Sequence, residues 1–153
     1  MSTDGAAQPR ADSWVAAIHA TQDDFVPLGT AVVIAGHRIL TCAHVVMSEG
    51  TAREGLWVAF PKAEAGSGER RRVASVVLPD RVRVADLAVL VLDEPVPAGV
   101  AAAPLRCPRP ADLTGRRWWA FGFARGDPVG NSADGVIGAP LAYGWVQIGR
   151  AHV

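Results

Sequence analysis

The 153-residue sequence lacks any excess of charge, since its 15 basic and 15 acidic side chains cancel. A nucleic-acid binder, or a protein that adheres to an anionic membrane surface, needs a basic surplus, so neither partner is expected. No apolar run approaches the roughly 20 residues that a bilayer-spanning helix requires. The first thirteen residues, Met1 to Ser13, are small and polar, with Pro9 and the acids Asp4 and Asp12. They hold no apolar stretch of the kind a secretory signal needs, and the expected compartment is the cytoplasm. Cysteine is scarce as well. Cys42 and Cys107 lie far apart, which suits free thiols in a reducing compartment better than a disulfide framework. Internal repeats are absent. The run Glu69-Arg70-Arg71-Arg72 is the one local concentration of basic charge and is expected to be a solvated strand start.

Apolar residues are plentiful, making up 50% of the chain. They come in short runs rich in Val, Ile, Leu and Trp, separated by Gly, Pro and Asp. That texture belongs to β-strands, not to amphipathic helices. Strands are predicted at Trp14–Ala20, Leu28–Ala35, Arg38–Thr41, Leu56–Phe60, Arg72–Leu78 and Leu87–Leu92. Ala35-Gly36-His37-Arg38 is predicted to close a hairpin with Gly36 at positive φ, and Gly66-Ser67-Gly68 to form a second hairpin-like loop. Pro95, Pro97, Pro104, Pro108 and Pro110 then rule out a central strand and mark a connector. Beyond it, Arg117–Phe123, Gly135–Ala139 and Gly144–Ile148 read as strands again. The expectation is an all-β chain in five parts: a tail over 1–13, a first barrel over 14–94, a Pro-rich connector over 95–112, part of a second barrel over 113–147, and a tail over 148–153.

The sharpest segment is Gly29-Thr30-Ala31-Val32-Val33-Ile34, a turn, and then Ile39-Leu40-Thr41-Cys42-Ala43-His44. A histidine that directly follows a buried strand, with small neighbours, is held in a fixed place. A general base needs such placement, because proton transfer demands hydrogen-bond reach. The second segment is Asp86-Leu87-Ala88-Val89-Leu90, with Asp86 42 residues after His44. A charge opening an apolar strand is costly to bury without a partner, and an imidazole N–H would supply one.

These two segments resemble the trypsin/chymotrypsin-like serine peptidases. That family carries a Gly-[Ser/Thr]-x-x-[Val/Ile] strand, a Leu-Thr-[Ala/Cys]-Ala-His signature and an Asp-[Ile/Leu]-Ala-[Leu/Val]-Leu strand, with His before Asp. The resemblance covers about Trp14 to Val146. It implies a trypsin-like double β-barrel, a protein or peptide substrate, His44 as general base and Asp86 as the carboxylate that orients it. Trp119-Ala120-Phe121-Gly122-Phe123 resembles the Val-x-Gly-[Phe/Trp] strand of the second barrel. No freed Ile-Val-Gly-Gly N-terminus occurs. The pattern resembles a bacterial, intracellular module, for which fusion to further domains is open.

The family's serine lies in a Gly-x-Ser-Gly turn, whose backbone N–H groups also form the oxyanion hole. No such turn occurs in the 153 residues. The nearest text is Gly130-Asn131-Ser132-Ala133-Asp134-Gly135. There Ala133-Asp134 replaces the small pair, an acid would oppose a developing oxyanion, and only one expected strand of the second barrel precedes it. Ser132 is therefore a candidate nucleophile set aside in favour of a polar hairpin tip. Ile148-Gly149-Arg150-Ala151-His152-Val153 breaks the strand pattern. It equals the peptide that a widely used sequencing-adapter DNA encodes in one frame, so it is expected to be a non-native tail beyond which the gene continues. Without its nucleophile the chain alone is expected to be inactive, since loss of the serine costs on the order of 10⁶ in kcat in such a triad. A non-catalytic binding module on the same barrel stays open as the alternative. A metal site built from His37, Cys42, His44 and Cys107 is not expected. No Cys-x-x-Cys pair exists, and Cys42 and His44 alternate about a strand end and so would not converge. No cofactor is expected.

Overall fold

The computed structural model describes residues 12–63, 68–80, 85–124 and 126–138. Six strands close into an antiparallel barrel: β1 (Val15–His19), β2 (Gly29–Ala35), β3 (Arg38–Thr41), β6 (Trp57–Ala59), β7 (Arg70–Val77) and β8 (Ala88–Leu92). Their order around the barrel is β1-β2-β3-β8-β7-β6, and β6 returns to pair with β1. Between β3 and β6 lie a one-turn helix α1 (Ala43–Val46) and a small hairpin, β4 (Met47–Ser48) with β5 (Thr51–Ala52). The six strands coincide with the six predicted ones, with ends shifted by a residue or two. α1 and the small hairpin were not legible, because two- and four-residue elements carry no period.

Alternation explains the closure. In β2 the buried residues are Gly29, Ala31 and Val33, in β3 Ile39 and Thr41, and in β8 Ala88, Leu90 and Leu92. Every second side chain points inward, and wrapping the sheet leaves no free edge within it. Phe60, Ile18, Ile39, Leu56 and Leu90 are the largest fully buried side chains. Replacing Phe60, which is 0% exposed, by alanine is expected to cost about 3–5 kcal/mol. Urea unfolding would register it as a lower midpoint at unchanged slope. A loss below about 1 kcal/mol would mean the barrel collapses into the gap.

Two details differ from expectation. Ala35 pairs with Arg38 around Gly36 and His37, yet Gly36 is not at positive φ. The register shifts between Val33 and Ala35 just before the turn. Such an irregularity twists and re-aims the strand, so the turn closes without a left-handed residue. The arginine run does start a strand, with Glu69 and Arg72 exposed, but it is not fully solvated. Arg70 and Arg71 are half-buried. Arg70 donates to the carbonyls of Thr21 and Asp24, and Arg71 donates to Pro95 O and pairs with Glu69. These guanidiniums pin loops against β7. Gly66-Ser67 of the second expected loop lies outside the described residues.

The Pro-rich segment straps the barrel. Val96 N–H donates to Gly36 O, Ala101 N–H to Ser13 Oγ and Ala103 N–H to Val33 O. After a 3-10 turn at Pro110–Asp112, β9 (Arg117–Gly122) and β10 (Asn131–Val136) form a two-stranded sheet. Trp119 meets Trp14 edge-on at 6.2 Å, Lys62 Nζ sits 4.4 Å over the Phe121 ring, and Phe123 N–H donates to Thr30 Oγ1 at 2.8 Å. The second strand of this sheet starts at Asn131, not at the predicted Gly135. Ser132 is therefore the second residue of that strand, opposite Phe121, and not at a hairpin tip. Gly130, at φ +80 and with Phe121 where a Cβ would sit, makes the turn instead. The predicted strand at Gly144–Ile148 lies outside the described residues.

Candidate active site

The site grows out of one strand pair. Thr41 ends β3 opposite Ala88 of β8, so the segment leaving β3 runs beside the segment entering β8. Thr41 is held by its own hydroxyl, which donates to Thr30 O at 2.9 Å. Cys42 is extended, and α1 starts at Ala43. Ala43 and Val46 bury the inner face of the turn, which leaves His44 on the outer face. Gly29 makes room for this turn. A Cβ there would fall 2.8 Å from both methyl carbons of Val45, so any other residue would force the Val45 side chain to shift.

Asp86 grips His44 at two points. Its Oδ1 accepts the His44 backbone N–H at 2.9 Å, and its Oδ2 lies 2.6 Å from ring Nδ1. These bonds, the backbone one first and the ring one second, hold the Asp86 carboxyl below its usual value against the smaller, opposing effect of desolvation. An ionised carboxylate can only accept, so Nδ1 carries the proton, and the lone pair of a neutral ring is left on Nε2. The side chains are 70% exposed for His44 and 52% for Asp86. The carboxylate stays hydrated at the barrel rim, and hydrogen bonding, not desolvation, fixes it.

An open cleft of about 650 Å³ adjoins the pair, lined by Leu28, Gly29, Thr30, Cys42, His44, Val45, Arg53 and Phe123. Arg53 is anchored by Nε donating to Met47 O at 3.2 Å. Phe123 arrives from the end of β9 through its bond to Thr30. Sequence reasoning placed neither at the site: Arg53 sits in no motif, Phe123 was read only as part of a strand, and only the closed barrel brings them to His44.

The other candidates separate. Ser132 is exposed on β10, and among the described residues no hydrogen bond joins it to His44. His37 is in the β2–β3 turn, and Cys107 is an exposed free thiol in the connector. Cys42 and His44, expected to point apart, converge. The Cys42 Sγ, a His44 ring nitrogen and an Asp86 oxygen lie within 4.8 Å of one another. The cause is α1, whose turn replaces the strand alternation assumed from sequence. Burial, then the Asp86 charge, pushes the Cys42 thiol pKa up.

The profile of the trypsin-like peptidase domain family matches residues 29–148, spanning His44, Asp86 and all of the cleft lining except Leu28. This chain belongs to that family. A trypsin-like fold is shared with the secreted serine protease VesC from Vibrio cholerae at a TM-score of 0.63 and 14% identity, over 84% of this chain. The chain spans 29% of the length of that protease. No curated protein sequence matches significantly. Among the described residues of this peptidase domain, no helix is long and apolar enough to cross a membrane.

Proposed function

We propose that this domain carries the base and the orienting carboxylate of a serine endopeptidase. The supporting observation is the two-point hold of Asp86 on His44 beside an open cleft. His44 Nε2 takes the serine proton as the hydroxyl attacks the peptide carbonyl, and later returns it to the leaving amine. Asp86 keeps the proton on Nδ1 and stabilises the imidazolium formed in between. The substrate is a polypeptide laid along the cleft. Since no Gly-x-Ser-Gly turn is written in the 153 residues, the nucleophile and its oxyanion hole are proposed to come from sequence outside them. Ser132 is not favoured, because it is paired within β10 and bonded to neither partner.

A fluorophosphonate probe tests this on the protein expressed from the uninterrupted genomic reading frame. Labelling is expected at a serine within Gly-x-Ser-Gly. Absence of both the motif and the label would overturn the enzyme reading in favour of a non-catalytic binding module.

A further inference from the structure

We propose that Cys42, His44 and Asp86 form a site for a borderline-soft divalent cation, zinc foremost, whose occupancy switches the His44–Asp86 pair off. Three chemically different donors, a thiol, an imidazole and a carboxylate, lie within 4.8 Å of one another. Around zinc, such donors sit about 2.0–2.3 Å from the metal, hence about 3.5 Å apart. Closing the gap takes roughly an ångström of side-chain movement, and all three residues are exposed enough to move. A sulfur–nitrogen–oxygen set favours zinc or cadmium over magnesium or calcium, which prefer oxygen alone. Three protein ligands leave a fourth position for water.

The thiol has no competing structural task. Cys42 makes no side-chain cap to α1, is in no disulfide and is exposed, so core packing does not call for it. Binding forms three bonds, to Cys42 Sγ, a His44 ring nitrogen and an Asp86 oxygen. The ring nitrogen on the Asp86 side is Nδ1, so its proton moves to Nε2 and the ring stays neutral; the thiol proton leaves for solvent, and no electrons are transferred. The Nε2 lone pair that a general base needs is then occupied by that proton. The inhibitory consequence rests on the peptidase reading above, whereas the binding itself does not.

The test is a titration of the 153-residue chain, reduced and free of chelator. Cadmium binding is followed by thiolate-to-metal charge transfer, and zinc binding by calorimetry. One equivalent is expected, with the cadmium band kept in Cys107→Ser and lost in Cys42→Ala. In His44→Ala the affinity for zinc should fall roughly tenfold or more, since even outer-shell losses cost that much. Circular dichroism checks each fold, and Cys42→Ser repeats the measurement should the alanine variant unfold. A band that survives removal of the Cys42 thiol overturns the site. So does undiminished zinc affinity in His44→Ala, which would leave a lone thiol as the binder. Zinc binding without fluorophosphonate labelling removes only the peptidase reading. Labelling without zinc binding removes only the metal site.

Discussion

His44→Ala is expected to lower kcat by about 10⁶-fold in the protein that includes its nucleophile, with the barrel unchanged. Removing the base strands the serine as a neutral hydroxyl, and the residual rate comes from the oxyanion hole and binding alone. The structural cost should be slight. His44 is exposed, and the buried residues of α1 are Ala43 and Val46. Kinetics on a peptide substrate, beside urea unfolding of the same variant, separate the two effects. A loss of less than tenfold in kcat, with the urea midpoint intact, would mean His44 is not the base.

Asp86→Asn is expected to cost about 10⁴-fold in kcat at nearly unchanged shape. The amide is isosteric, but it can turn an N–H toward Nδ1. That favours the tautomer with the proton on Nε2, where the serine proton must go. The bond from the His44 backbone N–H to Oδ1 can persist, so α1 stays seated. The pH dependence carries a second signature. A carboxyl whose folded pKa is depressed adds stability above its unfolded value, near 3.9. That stability fades as pH falls through the lower folded value. Wild type should therefore lose stability relative to Asp86→Asn only below about pH 4, because the His44 bonds hold the Asp86 carboxyl down. Urea midpoints of both proteins between acid and neutral pH measure this. A stability difference independent of pH across that range would contradict the assigned hold.

Strand texture was legible because a barrel is built from local alternation. Ile39 and Thr41 face inward while Arg38 and Leu40 do not, and this period of two is written in the residues themselves. The His44 and Asp86 signatures were legible for a related reason. Each sits at a strand end, and adjacent barrel strands must bring strand ends together. Thr41 opposite Ala88 is the pairing that does it.

Contacts between distant segments were not legible. Ser132 read as a loop because Gly130-Asn131-Ser132 is polar, and its pairing with Phe121 overrode that local preference. The arginine run read as solvated because its partners, the carbonyls of Thr21, Asp24 and Pro95, lie far along the chain.

Residue order alone therefore sufficed for the all-β class, which follows from short-range pattern, while the two side chains of the candidate site were named through the resemblance to a known family. Tertiary structure alone decided the rest: the exposure of His44 and Asp86 at the rim, the entry of Arg53 and Phe123 into the cleft, and the approach of Cys42 to the pair. Those features depend on barrel closure and on a single turn of helix, which no periodicity in 153 residues announces.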